Sequence, residues 1–180
     1  ADQPLLQWNR AWRGIAIQEG LSLEENARFF ALLATVSADS LIACWDSKYF
    51  YSFWRPVTAI RAGDTDENPK TAPDPAWIGL AVTPNHPEYP AAHGCFSGAV
   101  THALRFFFGI DKFEFTIDSN VPGLLQPVRS YESFSQALEE VNDARVYGGM
   151  HYRTSTRHGE KIGKQVAHFA TRHFFRRAKP

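Results

Sequence analysis

The sequence carries no surplus of either charge: nineteen Lys and Arg stand against nineteen Asp and Glu in 180 residues. That balance excludes a dedicated nucleic-acid binder, which needs excess cations to displace counterions from phosphates. No unbroken apolar run approaches the roughly 20 residues of a membrane span, so a soluble protein without such a span is expected. Internal repeats and low-complexity stretches are lacking, and a composition of 44% hydrophobic and 14% aromatic residues excludes disorder. Only two cysteines occur, Cys44 and Cys95. Both lie beside apolar residues and read as small buried packing groups, and a single pair does not define a disulfide. The chain opens Ala1-Asp2-Gln3-Pro4, without Met or a signal peptide of its own. That opening fits either a removed leader or a fragment, and a periplasmic or secreted location is expected over a cytoplasmic one. The length suits one domain, residues 1–180, able to bury about 70% of its unfolded surface.

What the chain does contain is helical periodicity. Trp8, Ala11, Trp12 and Ile15 mark a first helix from Leu5 to about Gln18, ended by Gly20. Ser22 with Glu25 reads as a capping box opening a longer helix through Phe29, Leu32, Leu33 and Val36 toward Trp45. Pro56 stops the segment that follows. Prolines 69, 73, 75, 84, 87 and 90 make residues 63–90 a long ordered loop with a short turn at Trp77–Leu80. Helical spacing returns over Phe96–Phe107, Ser133–Val146 and about Thr156–Phe175. Phe113, Phe115 and Ile117 alternate with polar residues, a short strand at most. Five or six helices against one weak strand predict an all-α helical bundle.

Polar residues on apolar stripes are the informative exceptions. Phe134, Leu138 and Val141 are followed on the same helical face by Arg145. His93 precedes the Phe96, Val100, Leu104 stripe by three residues. Lys48 and Arg55 are seven apart, so in one helix they would share a face with Leu41 and Cys44. Singly, each has a plain reading: an arginine that snorkels, a histidine at a helix start, an exposed basic edge. Together they aim three cations at one interior, which costs several kcal/mol per ion unless an anion lies between them. No carboxylate occupies a matching stripe position, so the anion is expected to be a ligand. Forked guanidinium donors with a point ammonium suit an oxyanion such as phosphate, and the amides after Pro90 add further donors. His151 follows the Gly148-Gly149 break, so two imidazoles, His93 and His151, are available for attack or coordination and for proton transfer.

Three segments carry a family resemblance: Lys48-Tyr-Phe-Tyr-Ser-Phe-Trp-Arg55-Pro56, Pro90-Ala91-Ala92-His93, and Arg145-Val-Tyr-Gly-Gly-Met-His151. In order and spacing they resemble the motifs of the superfamily of vanadium-dependent haloperoxidases and type 2 phosphatidic acid phosphatases, in its soluble bacterial haloperoxidase-like branch. The resemblance spans about Trp8 to Phe175. It implies a helical bundle in which Lys48, Arg55, Arg145 and the backbone of Ala91 and Ala92 hold the oxyanion. His151 would bind vanadium axially, or attack phosphorus in a phosphatase, and His93 would be the acid–base residue. The implied cofactor is vanadate, or phosphate in the same site. The implied reactants are hydrogen peroxide and halide, or a phosphate ester.

The sequence departs from that pattern at four places. Ala91 replaces a serine whose hydroxyl bonds the oxyanion, and Ala92 replaces a glycine, where a positive φ would be strained. Ala144 replaces the serine usual before the arginine. Ser155 replaces an aspartate, so support for His93 is expected from Glu88 or Asp143. A haloperoxidase-like enzyme is the first reading; a soluble acid phosphatase and a catalytically impaired oxyanion-binding module are the others. Zinc held by His93, His151 and a carboxylate is disfavoured, because no short ligand pair occurs and the nearby cations repel a divalent metal. His86, His102, His158, His168 and His173 read as surface or core-edge residues. Arg153 and Arg157 read as a solvated basic face.

Overall fold

The structure is a computed structural model, and it describes residues 3–174. Among these residues six helices and a two-stranded sheet are found, so the expected helical bundle is observed with a small hairpin added. Helix α1 (Pro4–Gln18) has proline in its first turn, where a missing N–H leaves no bond unmade. It buries Trp8, Ala11, Trp12 and Ile15 along one face, and the Trp8 indole donates to Ser97 Oγ at 3.2 Å. The capping box at Ser22 forms: Glu25 N donates to Ser22 Oγ at 3.2 Å and Ser22 N donates to Glu25 Oε2 at 3.0 Å.

Helix α2 (Leu23–Tyr51) continues through Lys48 and is stopped by Ser52, whose φ of 45° is left-handed. Arg55 is therefore not on that helix. It is the N-cap of a short helix α3 (Pro56–Arg61), and Pro56, expected only to end a segment, begins one. The shared helical face expected for Lys48 and Arg55 does not exist; a turn between two helices brings them together instead. By length and composition the helical stretch Leu23–Arg61 is apolar enough to cross a membrane, although charged residues interrupt its apolar runs. Its buried side chains, Phe29, Leu32, Leu33 and Val36, lie in the hydrophobic core of the bundle.

Helix α4 (Ala92–Phe108) runs through the centre, and every residue from Gly94 to Thr101 is buried. The single stripe expected for it was too narrow. Strands β1 (Lys112–Asp118) and β2 (Val128–Ser133) pair antiparallel, with Phe115 opposite Tyr131. The second strand escaped the sequence reading because Tyr131 is its one fully buried side chain. Ser133 then caps helix α5 (Phe134–Tyr147), accepting from Gln136 N. Helix α6 (Arg153–His173) begins three residues earlier than the spacing suggested, and Phe175 lies outside the described residues.

Close helix crossing positions the site. A Cβ at Gly163 would lie 2.2 Å from Cys95 O, and one at Gly159 would lie 2.4 Å from Ala91 O. Side chains there would wedge α4 from α6, so glycine lets the two backbones meet. Cys44 and Cys95 are buried free thiols.

Candidate functional site

Five segments converge at the start of α4. Lys48 comes from the last turns of α2, Arg55 from the cap of α3, His93 from the first turn of α4, Arg145 from the end of α5, and His151 from just before α6. A cavity of about 280 Å³ lies beside them, lined by His86, Ala92, His93, Arg145 and His151 and walled by Leu41, Trp45 and Phe96; Lys48 and Arg55 are not part of its lining. A larger cavity of about 620 Å³ lies between α4, α5 and α6. Its lining carries both signs of charge, Arg105, Arg153 and Arg157 against Glu139, Asp143 and Glu160, with Arg153 paired to Asp143, so it does not concentrate positive charge as the first cavity does.

Lys48 is fully buried and donates to the carbonyls of Pro87 (2.7 Å) and Glu88 (3.0 Å). Burial, more than the nearby Arg55, lowers its pKa to about 8. Arg55 donates to Met150 O at 2.8 Å and to His86 O at 3.1 Å, and its Nη2 lies 3.1 Å from His86 Nδ1. These two cations hold the backbone of the 86–88 loop in place. His86, read from sequence as peripheral, faces the cavity, its ring tilted at 47° to Trp45 with centroids 5.2 Å apart. Nothing in the local pattern marked it, because proline-rich loops carry no periodicity from which to infer a direction.

The interior does contain a carboxylate. Glu88 is fully buried; its Oε1 accepts from His151 Nδ1 (2.8 Å) and Tyr152 N (3.0 Å), and its Oε2 accepts from Ser155 Oγ (2.6 Å). Burial alone would raise its pKa, but these hydrogen bonds outweigh that and lower it. Burial depresses His151 to about 4 despite the Glu88 contact, so a neutral imidazole meets an ionised carboxylate. The expectation that Glu88 or Asp143 supports His93 is therefore corrected: Glu88 serves His151, and Asp143 pairs with Arg153.

His93 lines the cavity with no hydrogen-bond partner among the described residues, and burial, then Arg145, lowers its pKa to about 3. Arg145 Nε is buried without an acceptor, and burial with the Arg55 charge lowers that guanidinium to about 10. Ala91 N is bonded to Ser155 O at 3.0 Å and leaves no free amide for an anion. Ala92 lines the cavity in ordinary helical backbone, so the strain expected there is absent. Gly149 has a φ of 74°, and a Cβ on it would meet the Trp77 ring at 2.9 Å. The glycine break thus admits the loop around Trp77 rather than a ligand. Three cations face one carboxylate, leaving two positive charges around a cavity with an orphaned donor.

The family model for the second helical-bundle domain of VCPO matches residues 28–180. Vanadium chloroperoxidase from Curvularia inaequalis is 32% identical over 92 residues, 46% of this chain and 14% of that protein. The crystal structure of a bacterial vanadium-dependent iodoperoxidase superposes with a TM-score of 0.76 and 35% identity, over 90% of this chain and 38% of that one. An apo-type bacterial vanadium-dependent chloroperoxidase shares the fold, with a TM-score of 0.74 and 21% identity over 91% of this chain and 42% of that one. The chain thus spans less than half the length of each of these proteins. It belongs to the family of the second helical-bundle domain of vanadium chloroperoxidases.

Proposed function

We propose that the cavity holds vanadate and that the chain is the vanadate-carrying helical domain of a haloperoxidase acting on hydrogen peroxide and halide. The relatives named above are vanadium chloroperoxidases and an iodoperoxidase, which supports this reading. The observation that carries it is Arg145: a partly buried guanidinium whose buried Nε has no acceptor, beside two buried cations, Lys48 and Arg55, and a single carboxylate, Glu88. An anion there would relieve both the repulsion and the lost hydration. The donor set fits a tetrahedral oxyanion and not a divalent metal, which the same charges would repel.

Arg145 would give the oxyanion its free N–H groups, and Lys48 its remaining one. The first amides of α4, which no side chain caps, add donors and a favourable dipole. His151 carries its lone pair on Nε2, because its other nitrogen must donate to Glu88; that lone pair accepts from Arg55 Nη1 at 3.1 Å, and the guanidinium would have to turn toward the anion to release it. His93 is neutral and unpartnered, so one ring nitrogen is free to take a proton and the other to give one. Leu41, Trp45 and Phe96 exclude water and strengthen each of these interactions. When bound, vanadate supplies a Lewis-acidic centre that activates peroxide toward halide.

The test is calorimetric titration with orthovanadate, followed by iodide, bromide and chloride oxidation with hydrogen peroxide, with and without vanadate. Tight stoichiometric binding and vanadate-dependent turnover are expected; failure to bind would reject the reading. The carboxylate behind His151 also favours a second reading, an acid phosphatase in which Nε2 attacks a phosphate ester. Hydrolysis of p-nitrophenyl phosphate that vanadate inhibits, without halide oxidation, would select it.

A further inference from the structure

We infer that Glu88 is the positioning residue for His151: its carboxylate holds the imidazole as the Nδ1–H tautomer, which leaves the lone pair on Nε2, at the ring edge that meets Arg55. The inference deepens the proposed function, since the task of Nε2 depends on that reading while the tautomer does not.

Glu88 has no exposed surface, and both its oxygens are engaged, Oε1 with His151 Nδ1 at 2.8 Å and Tyr152 N at 3.0 Å, Oε2 with Ser155 Oγ at 2.6 Å. An ionised carboxylate only accepts, so the proton of that contact belongs to Nδ1. On the far edge of the ring, Arg55 Nη1 lies 3.1 Å from Nε2, and a guanidinium only donates. Two partners on opposite edges therefore impose one tautomer, and a flipped ring would lose both contacts. The loop that carries Glu88 is itself anchored, by Lys48 on the Glu88 carbonyl (3.0 Å) and by Arg55 on the His86 carbonyl (3.1 Å). A carboxylate behind a coordinating or attacking imidazole orients the ring and raises its basicity, and its removal typically costs about 10- to 100-fold in ligand affinity or activity. Ser155 Oγ lies 2.6 Å from the other carboxylate oxygen, Oε2, so with Glu88 truncated an aspartate at 155 would reach the place its carboxylate occupies.

The full chain, with 15N-labelled histidine, is compared with Glu88→Gln, Glu88→Ala and Glu88→Ala/Ser155→Asp. Long-range 1H–15N NMR without ligand reads the His151 ring, and orthovanadate calorimetry reads the site. In the parent, Nδ1 is expected to be protonated and Nε2 bare. Glu88→Gln keeps the shape and an acceptor but loses the charge: the Nδ1 proton should move upfield and orthovanadate affinity fall about tenfold. Glu88→Ala should give mixed tautomers and a larger loss, and Ser155→Asp in that background should restore the parent pattern. Parent-like His151 shifts and affinity in Glu88→Gln would overturn the inference even if Glu88→Ala failed to fold. If the parent bound no orthovanadate, the proposed function would fall while the ring shifts still decided the role of Glu88.

Discussion

The amide of Ala91 donates to the carbonyl of Ser155 at 3.0 Å, and the hydroxyl of the same Ser155 donates to Glu88. One residue of α6 thus ties the start of α4 to the carboxylate behind His151. His93, in the first turn of α4, and His151, just before α6, are thereby referenced to a common point.

Ala91 is the N-cap of α4 and has no side-chain oxygen to offer that helix. Ala91→Ser should cap it and stabilise the fold by about 1 kcal/mol. Calorimetric melting checks this without any ligand. A lower midpoint would show that the enclosed position cannot take the hydroxyl.

Arg145 stabilises no partner among the described residues, yet its buried Nε sits beside like charge. Arg145→Met should leave thermal stability unchanged or raise it, while reducing orthovanadate affinity at least about 30-fold, the equivalent of 2 kcal/mol or more. Melting curves and calorimetry on the same samples test both signs. A destabilised variant with intact binding would remove Arg145 from the site.

The two histidines should separate binding from turnover. His151→Ala should abolish tight orthovanadate binding. His93→Ala should bind like the parent while turnover falls by about 10² to 10⁴. Equal behaviour of the two variants would show that the roles assigned to them are wrong.

Lys48 makes opposite predictions for folding and binding. Its pKa is about 8 in the folded chain against an ordinary 10.5, so between those values the unfolded chain holds a proton that the folded chain has released. Stability should therefore rise with pH across that window, with no contribution from Lys48 below it. Orthophosphate affinity should fall above pH 8 as the ammonium charge is lost. Denaturant melts and phosphate titrations on both sides of pH 8 read the two slopes, and an unchanged affinity would refute the placement of Lys48. In acid the sign also follows from the shifts: His93 and His151 sit at about 3 and 4, below the ordinary 6.5, so stability should drop as pH falls below 6.5.

Gly163→Ala would place a Cβ 2.2 Å from Cys95 O and 2.5 Å from Ala99 N. Both are backbone atoms and cannot swing aside, so a loss of about 1–3 kcal/mol is expected. Chemical denaturation measures it. A neutral result would mean that α4 and α6 can part without penalty.

The helices were legible because their cores repeat at helical spacing and their ends carry local signals, as at Ser22 with Glu25 and at Gly20. Arg145 was legible for the same reason, as a cation out of place on an apolar stripe. Lys48 and Arg55 were correctly grouped, but for a wrong geometric reason, since Ser52 ends the helix between them. The contacts of Glu88 and His86 could not be read at all. Both lie in a proline-rich loop, where side-chain direction is set by what packs against the loop rather than by its own repeat. Periodicity and caps act over a few residues and are written in the chain; the pairing of Glu88 with His151 spans 63 positions and arises from the packing of the segments that meet at the site. Which residues form the helices was thus a local matter, while which carboxylate stands behind which imidazole depended on burial, where an unpartnered charge is too unfavourable to persist.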